Sequence, residues 1–311
     1  MRQQIKPYQA LAAAGVSGIR SYEDAATTTG RLDAAAGLAT PSLRALLVLR
    51  SAVHPLRAGR EGMIALLRSE REGALAIQYA ALLAGAAKAR GGVVPTLHWM
   101  CEQLEIPNVA TGATDDQRAA TAAIDGLLHD AHERTPPVLK VAAVAAAITR
   151  LDVEPGQRVA LVALAAGLLL CVGGATSDTW LTLVLPSELS SAPPNDQELG
   201  AWLTSAFGAL AREGRAIERG LATAALQLAD DAGEIRRAYG RAAISALELH
   251  TLLSDKLILT LPDVARALGF TAPTAGAAME RLESLGIASE VTGQHRSREY
   301  VYTALVDALA P

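Results

Sequence analysis

The chain has 311 residues, of which half are hydrophobic, 4% aromatic and 19% charged, with a formal net charge of −4. That length carries a sizeable core split into one large and one small domain, and apolar mass made mostly of Ala, Leu and Val favours helices in close approach. The slight negative charge excludes a global basic field, so any nucleic acid must be met by a local patch; Cys101 and Cys171, the only cysteines, form no CxxC or His-Cys cluster, which suggests neither a disulfide framework nor a zinc site and suits a reducing cytoplasm.

Residues 1–40 alternate small-residue runs with turn signals at Val16-Ser17-Gly18 and Thr27-Thr28-Thr29-Gly30, which predicts short helices and loops. The opening MRQQIKPYQALAAAG has no continuous apolar core followed by a cleavage site, so it does not read as a secretion signal. Thr40-Pro41-Ser42 starts a helix, SLRALLVLRSAV, that stops at His54-Pro55. A helix over 61–90 ends at Gly91-Gly92, and VVPTLHWMCEQLEI holds another, begun near Pro95. After the turn-rich PNVATGATDDQ comes a helix over 118–134. His129 and His132 sit three apart on it, a spacing that can share a metal, but without an HExxH pairing or a third ligand they read as a solvated face.

Two segments apolar all round, 136–151 and 158–172, follow as a hairpin joined by DVEPGQ, the pattern of helices at a bundle centre. The uncharged stretch 159–177 turns polar and Gly-rich after fourteen residues. A membrane span needs about 20, so a buried helix is expected and no membrane. SSAPPNDQ (190–197) is a surface loop, and long helices over 199–228 and 232–253 follow it, without any fixed-period repeat.

From Leu261 the pattern sharpens. A short helix, 262–268, is closed by Gly269; a turn leads into a second, 272–285, closed by Gly286. Strand-like alternation over 287–291 and 299–302, about a turn at Thr292-Gly293, adds a hairpin. Helix, turn, helix and hairpin make a winged helix-turn-helix. In such a module the start of the second helix meets base edges, here Thr271, Ala272, Thr274 and Ala275, all too small for a bidentate guanine contact. His295, Arg296 and Arg298 at the wing tip can clamp phosphates, and Arg281 lies further along the second helix. Residues 241–311 nevertheless hold six Lys/Arg against eight Asp/Glu, a net −2, which leaves open a module used for protein contact instead.

Residues 261–305 resemble the winged helix at the C-terminus of many Fic-family proteins, where such a run is followed by a TGxxRxRxY wing; Thr292-Gly293, Arg296, Arg298 and Tyr300 carry the resemblance. Upstream, the Pro136-Pro137 helix, the loop RLDVEPGQR and the apolar helix after it are similar to the family's order, and SEREG (69–73) is similar to its SxxxEG inhibitory motif. The resemblance implies a nucleotidyl transferase using ATP with Mg²⁺: a His base, an acidic metal ligand, a Gly-Asn-Gly phosphate nest and an Arg on the γ-phosphate. At the expected place, 150–158, there is no histidine and one glycine, and Pro155 removes a backbone donor; only Arg158 matches. HPLRAGREG (54–62) is closer in letters to the family's HPFxxGNGR, with His54 as base and Glu61 as metal ligand, yet it lacks the Asn, the second Gly in register and the closing Arg.

The expected architecture is mainly α: a Fic-like helical domain over 1–230, a linker helix over 231–254 and a winged helix-turn-helix with a small β-hairpin over 255–311. The expected function is that of a cytoplasmic transcriptional regulator that binds double-stranded DNA as a homodimer, with a catalytically inactive Fic-like part and no cofactor or metal. The alternatives are a divergent protein adenylyltransferase using His54, Glu61 and Arg158 with Mg-ATP, and a winged helix that binds a protein partner.

Overall fold

A helix whose every face is apolar has to be surrounded, and two such helices organise the first half of the molecule. The computed structural model describes residues 12, 14–39, 43, 59–71, 96–104, 106–107, 114–129, 135–172, 198–294 and 297–310. These fall into two compact units, parted between Glu218 and Arg219 within one long helix. The chain is mostly helical with one small sheet.

The first unit contains α1 (Gly15–Leu38), α3 (Leu97–Gln103), α4 (Asp115–His129), α5 (Pro137–Ile148), α6 (Pro155–Val172) and the start of α7 (Leu199–Tyr239); α2 (Gly59–Arg71) belongs to the second. Every residue of α5 from Val138 onward is buried, Lys140 included, and α6, which buries Leu161, Leu164, Ala165 and Leu168, packs beside it. The expected hairpin is present. Its connection is shorter than DVEPGQ, because α6 begins at Pro155: proline at the first helical position lacks an N–H that would go unused there, and Gln157 Oε1 accepts the Glu154 N–H at 3.2 Å. α4 buries Ala120, Ile124 and Leu128 and packs against α5. Thr96 caps α3, and Asp125 of α4 accepts the Leu97 N–H at 2.7 Å.

Within the short helices and loops expected over 1–40, the stretch Gly15–Leu38 is corrected to one helix of 24 residues, α1, while residues 1–11 lie outside the described residues. Its turn signals are outweighed by packing: Ala25, Thr28, Thr29 and Leu32 form a buried stripe at helical spacing, and the Thr29 hydroxyl bonds back to the Ala25 carbonyl at 2.8 Å instead of opening a turn. α1 lies along the start of α7, with Tyr22 edge-on to Phe207 at 5.5 Å, a bidentate Arg215–Asp24 pair at 2.7 Å and Arg31 on Glu218 at 2.7 Å.

In the second unit α7 runs on to Tyr239, so the break expected between 228 and 232 is also corrected, and a boundary at 230/231 falls inside a helix. Asp231 and Gly233 do not end it, because Asp231 is buried and hydrogen bonded within the core. The break comes at Gly240, φ +51, and a 3₁₀ turn over Gly240–Ala242 leads into α8 (Ala243–Lys256). Leu257 then takes a left-handed φ of +63, which costs about 1 kcal/mol and is offset by its burial. That residue turns the chain straight into β1 (Ile258–Thr260), a strand not read in the sequence.

Two short helices follow, α9 (Leu261–Leu268), with a Thr260/Asp263 capping box and Gly269 at φ +67 as its end, and α10 (Ala272–Ser284), capped by Thr271. β2 (Ala288–Glu290) and β3 (Glu299–Tyr302) complete an antiparallel sheet of order β1-β3-β2, with Ile258 opposite Val301 and Ala288 opposite Tyr302. α11 (Thr303–Leu309) ends the chain against α7, where a Cβ on Gly220 would stand 2.3 Å from the Ala308 carbonyl oxygen. α2 joins this unit by burying Met63, Ile64 and Leu67, with Arg60 on Asp307 at 3.4 Å and Arg68 on Glu299 at 2.7 Å. Among the described residues no helix is long and apolar enough to cross a membrane.

Candidate nucleic-acid interface

Helical spacing decides which part of α10 is available. Ala275, Ala278, Met279 and Leu282 form its inner stripe and are buried, so the chain's own core holds one side of the helix in place. Thr271, Ala272, Pro273 and Thr274 stay exposed at its start. The hydroxyls of Thr271 and Thr274 lie 2.8 Å apart, and Thr271 accepts the Thr274 N–H at 3.4 Å, so the first turn is rigidly capped. Ala275, expected beside the bases, lies on the inner stripe with its methyl in the core.

Arg281 is also turned away from that first turn. Its Nη1 donates to the Ala242 carbonyl at 3.2 Å and to Ser245 Oγ at 3.1 Å, and its guanidinium stands 5.7 Å from the Tyr239 ring centre. The Tyr239 hydroxyl reaches Ser284 Oγ at 2.6 Å and the Arg281 carbonyl at 3.1 Å. This cluster ties the end of α7 and the Gly240 bend to the end of α10.

The β2–β3 connection carries the wing-tip candidates. Arg298 is exposed, and its Nε donates to the Gln294 carbonyl at 3.1 Å; His295 and Arg296 lie outside the described residues. The Glu290 carboxylate accepts from the Thr292 hydroxyl and N–H and from the Gly293 N–H, and these bonds, the hydroxyl's first, hold it below the usual carboxylate range, with Arg298 adding to the effect. Burial pushes the Glu283 carboxyl up, while the same arginine pulls it down.

Behind the sheet is a buried polar chain that nothing in the sequence pattern signals, since its members are separated by 71 and 52 residues. The Tyr302 hydroxyl donates to Asp231 Oδ2 at 2.5 Å and lies 2.9 Å from His250 Nε2; Gln227 Nε2 donates to Asp231 Oδ1 at 2.8 Å. Burial, then the bond to Asp231, pushes the Tyr302 phenol far above its ordinary range, and burial pulls His250 down against the opposing charge of Asp231. With the Tyr302 O–H directed at Asp231, His250 Nε2 is the donor to the phenol oxygen. The three side chains bolt α7, α8 and β3 together.

Glu61 is exposed in the first turn of α2, His54 lies outside the described residues, and Arg158, in the other unit from Glu61, donates to the Val153 carbonyl at 3.3 Å. His129 Nδ1 lies 2.9 Å from the Asp125 carbonyl, and His132 lies outside the described residues. No group of three or more His, Cys, Asp or Glu among the described residues could hold a metal ion. Cys101 is buried, which pushes its thiol up. Neither a protein-family model nor a curated protein matches the chain.

Proposed function

We propose that residues 255–311 are a winged helix-turn-helix through which this chain, as a homodimer in the cytoplasm, binds double-stranded DNA as a transcriptional regulator, and that the helical part before them is Fic-like without adenylyl-transfer chemistry. The observation that carries this reading is the exposed, capped first turn of α10, held from behind by its own buried stripe and followed by a β2–β3 turn that bears Arg298. A helix start of that kind enters a major groove, and an arginine on a wing reaches the backbone beside it. In the first unit, Pro155 begins α6 where an anion nest would need a backbone donor, which supports lost catalysis.

Thr271, Ala272 and Thr274 offer hydroxyls and methyls, so base readout rests on small contacts and affinity on the few phosphate clamps. Fluorescence anisotropy of the whole chain on DNA from its own upstream region and on a scrambled duplex, across a salt series, tests this. Preferential binding to the upstream DNA, with a salt slope lowered by about one unit in Arg298→Ala, is the expected result. Equal, weak binding to both duplexes, unchanged by the substitution, would remove the reading.

The net −2 of residues 241–311 favours a second reading, a winged helix that docks a protein partner. A defined complex with another protein that forms equally with and without DNA would select it.

A further inference from the structure

Glu290 ends β2, and its carboxylate turns back into the β2–β3 connection. It takes the Thr292 hydroxyl, the Thr292 N–H at 2.7 Å and the Gly293 N–H at 3.0 Å. Gly293 sits at φ +64, a conformation that brings successive N–H groups onto one anion. The next residue, Gln294, gives its carbonyl to Arg298 Nε at 3.1 Å, which uses one of five guanidinium donors. An unbroken chain of contacts therefore runs from the carboxylate through the turn to the exposed arginine.

We propose, resting on the DNA-binding reading above, that Glu290 is the positioning residue of the wing: its carboxylate orders the Thr292-Gly293 turn so that Arg298 is presented to a DNA phosphate. Charge alone argues the reverse. A carboxylate near Arg298 repels phosphate, so on Coulombic grounds its neutralisation tightens DNA binding. If the carboxylate acts by ordering the turn, neutralisation weakens binding, and the sign separates the two.

The test uses the full chain. Wild type, Glu290→Gln, Arg298→Ala and the double variant are titrated against a fluorescent duplex of mixed sequence over a salt series, and amide exchange at Thr292 and Gly293 is followed without DNA. Glu290→Gln is expected to speed exchange of the Gly293 amide, weaken binding about fivefold, lower the salt slope by about one unit and add nothing to Arg298→Ala. Thr292→Val, which removes one donor to the carboxylate, should change exchange and affinity in the same direction by less. A merely loosened fold lowers affinity without moving the slope. Unchanged exchange, tighter binding, or an additive loss in the double variant overturns the positioning role. Wild-type protein that binds no duplex is a separate result, measured first, that removes the DNA-binding reading itself.

Discussion

Gly214 and Gly220 lie six residues apart on α7, one in each unit, and their surroundings differ in kind. A Cβ on Gly214 would stand 2.7 Å from Thr28 Cγ2, the end of a side chain; on Gly220 it would stand 2.3 Å from the Ala308 carbonyl oxygen, part of the backbone. The first unit is thus closed by side chains sliding together along long helices, with α5 surrounded on all faces. The second is closed by short elements whose backbone comes within van der Waals contact of α7 and whose interior holds the Asp231–Tyr302–His250 chain. A helical layer can relax around an added methyl; a unit set by caps, turns and buried hydrogen bonds has fewer ways to yield.

The largest effect should come from Gly220→Ala, which forces α11 off α7 and costs about 3 kcal/mol in the second unit's unfolding, with no side-chain truncation able to relieve it. Asp231→Ala leaves the Tyr302 phenol buried without its acceptor, at about 2 kcal/mol by urea denaturation; Tyr302→Phe in that background should recover part of the loss. Gly214→Ala should cost about 1 kcal/mol, and adding Thr28→Ser, which removes the obstructing methyl, should return most of it. If Gly214→Ala proves as costly and as irreparable as Gly220→Ala, the contrast between the units is lost. Thr271→Ala, removing the cap of α10, should cost about 1 kcal/mol.

The smallest effect is one of pH. Burial lowers the His250 pKa in the folded chain, so below about 6.5 the unfolded chain takes up a proton that the folded chain resists. Stability should therefore fall as pH drops from 7 toward 5, by less in His250→Gln, as read from urea midpoints.

Those contrasts also explain what was legible in the sequence. Thr260, Asp263, Gly269 and Thr271 act within a few residues of themselves, and the two short helices they bound were read to within a residue or two. The apolar hairpin of α5 and α6 was read for the same reason, since its pattern is local. α1 was missed as one helix because the packing that keeps Thr28 and Thr29 helical comes from α7, far along the chain. β1 was missed because its three residues are all buried and show no alternation, and because a leucine, not a glycine, makes the left-handed turn before it. In the candidate interface Thr271, Ala272 and Thr274 stand exposed, whereas Ala275 belongs to the core stripe and Arg281 to a brace on Tyr239. Neither assignment follows from position along a helix until its neighbours are known.

Amide hydrogen exchange of the full chain, with and without a duplex from its own upstream region, shows whether the start of α10 and the β2–β3 turn meet DNA. Protection gained over 271–277 and 290–298, with the first unit unchanged, is the predicted result. No change in those two segments when the duplex is present would contradict it.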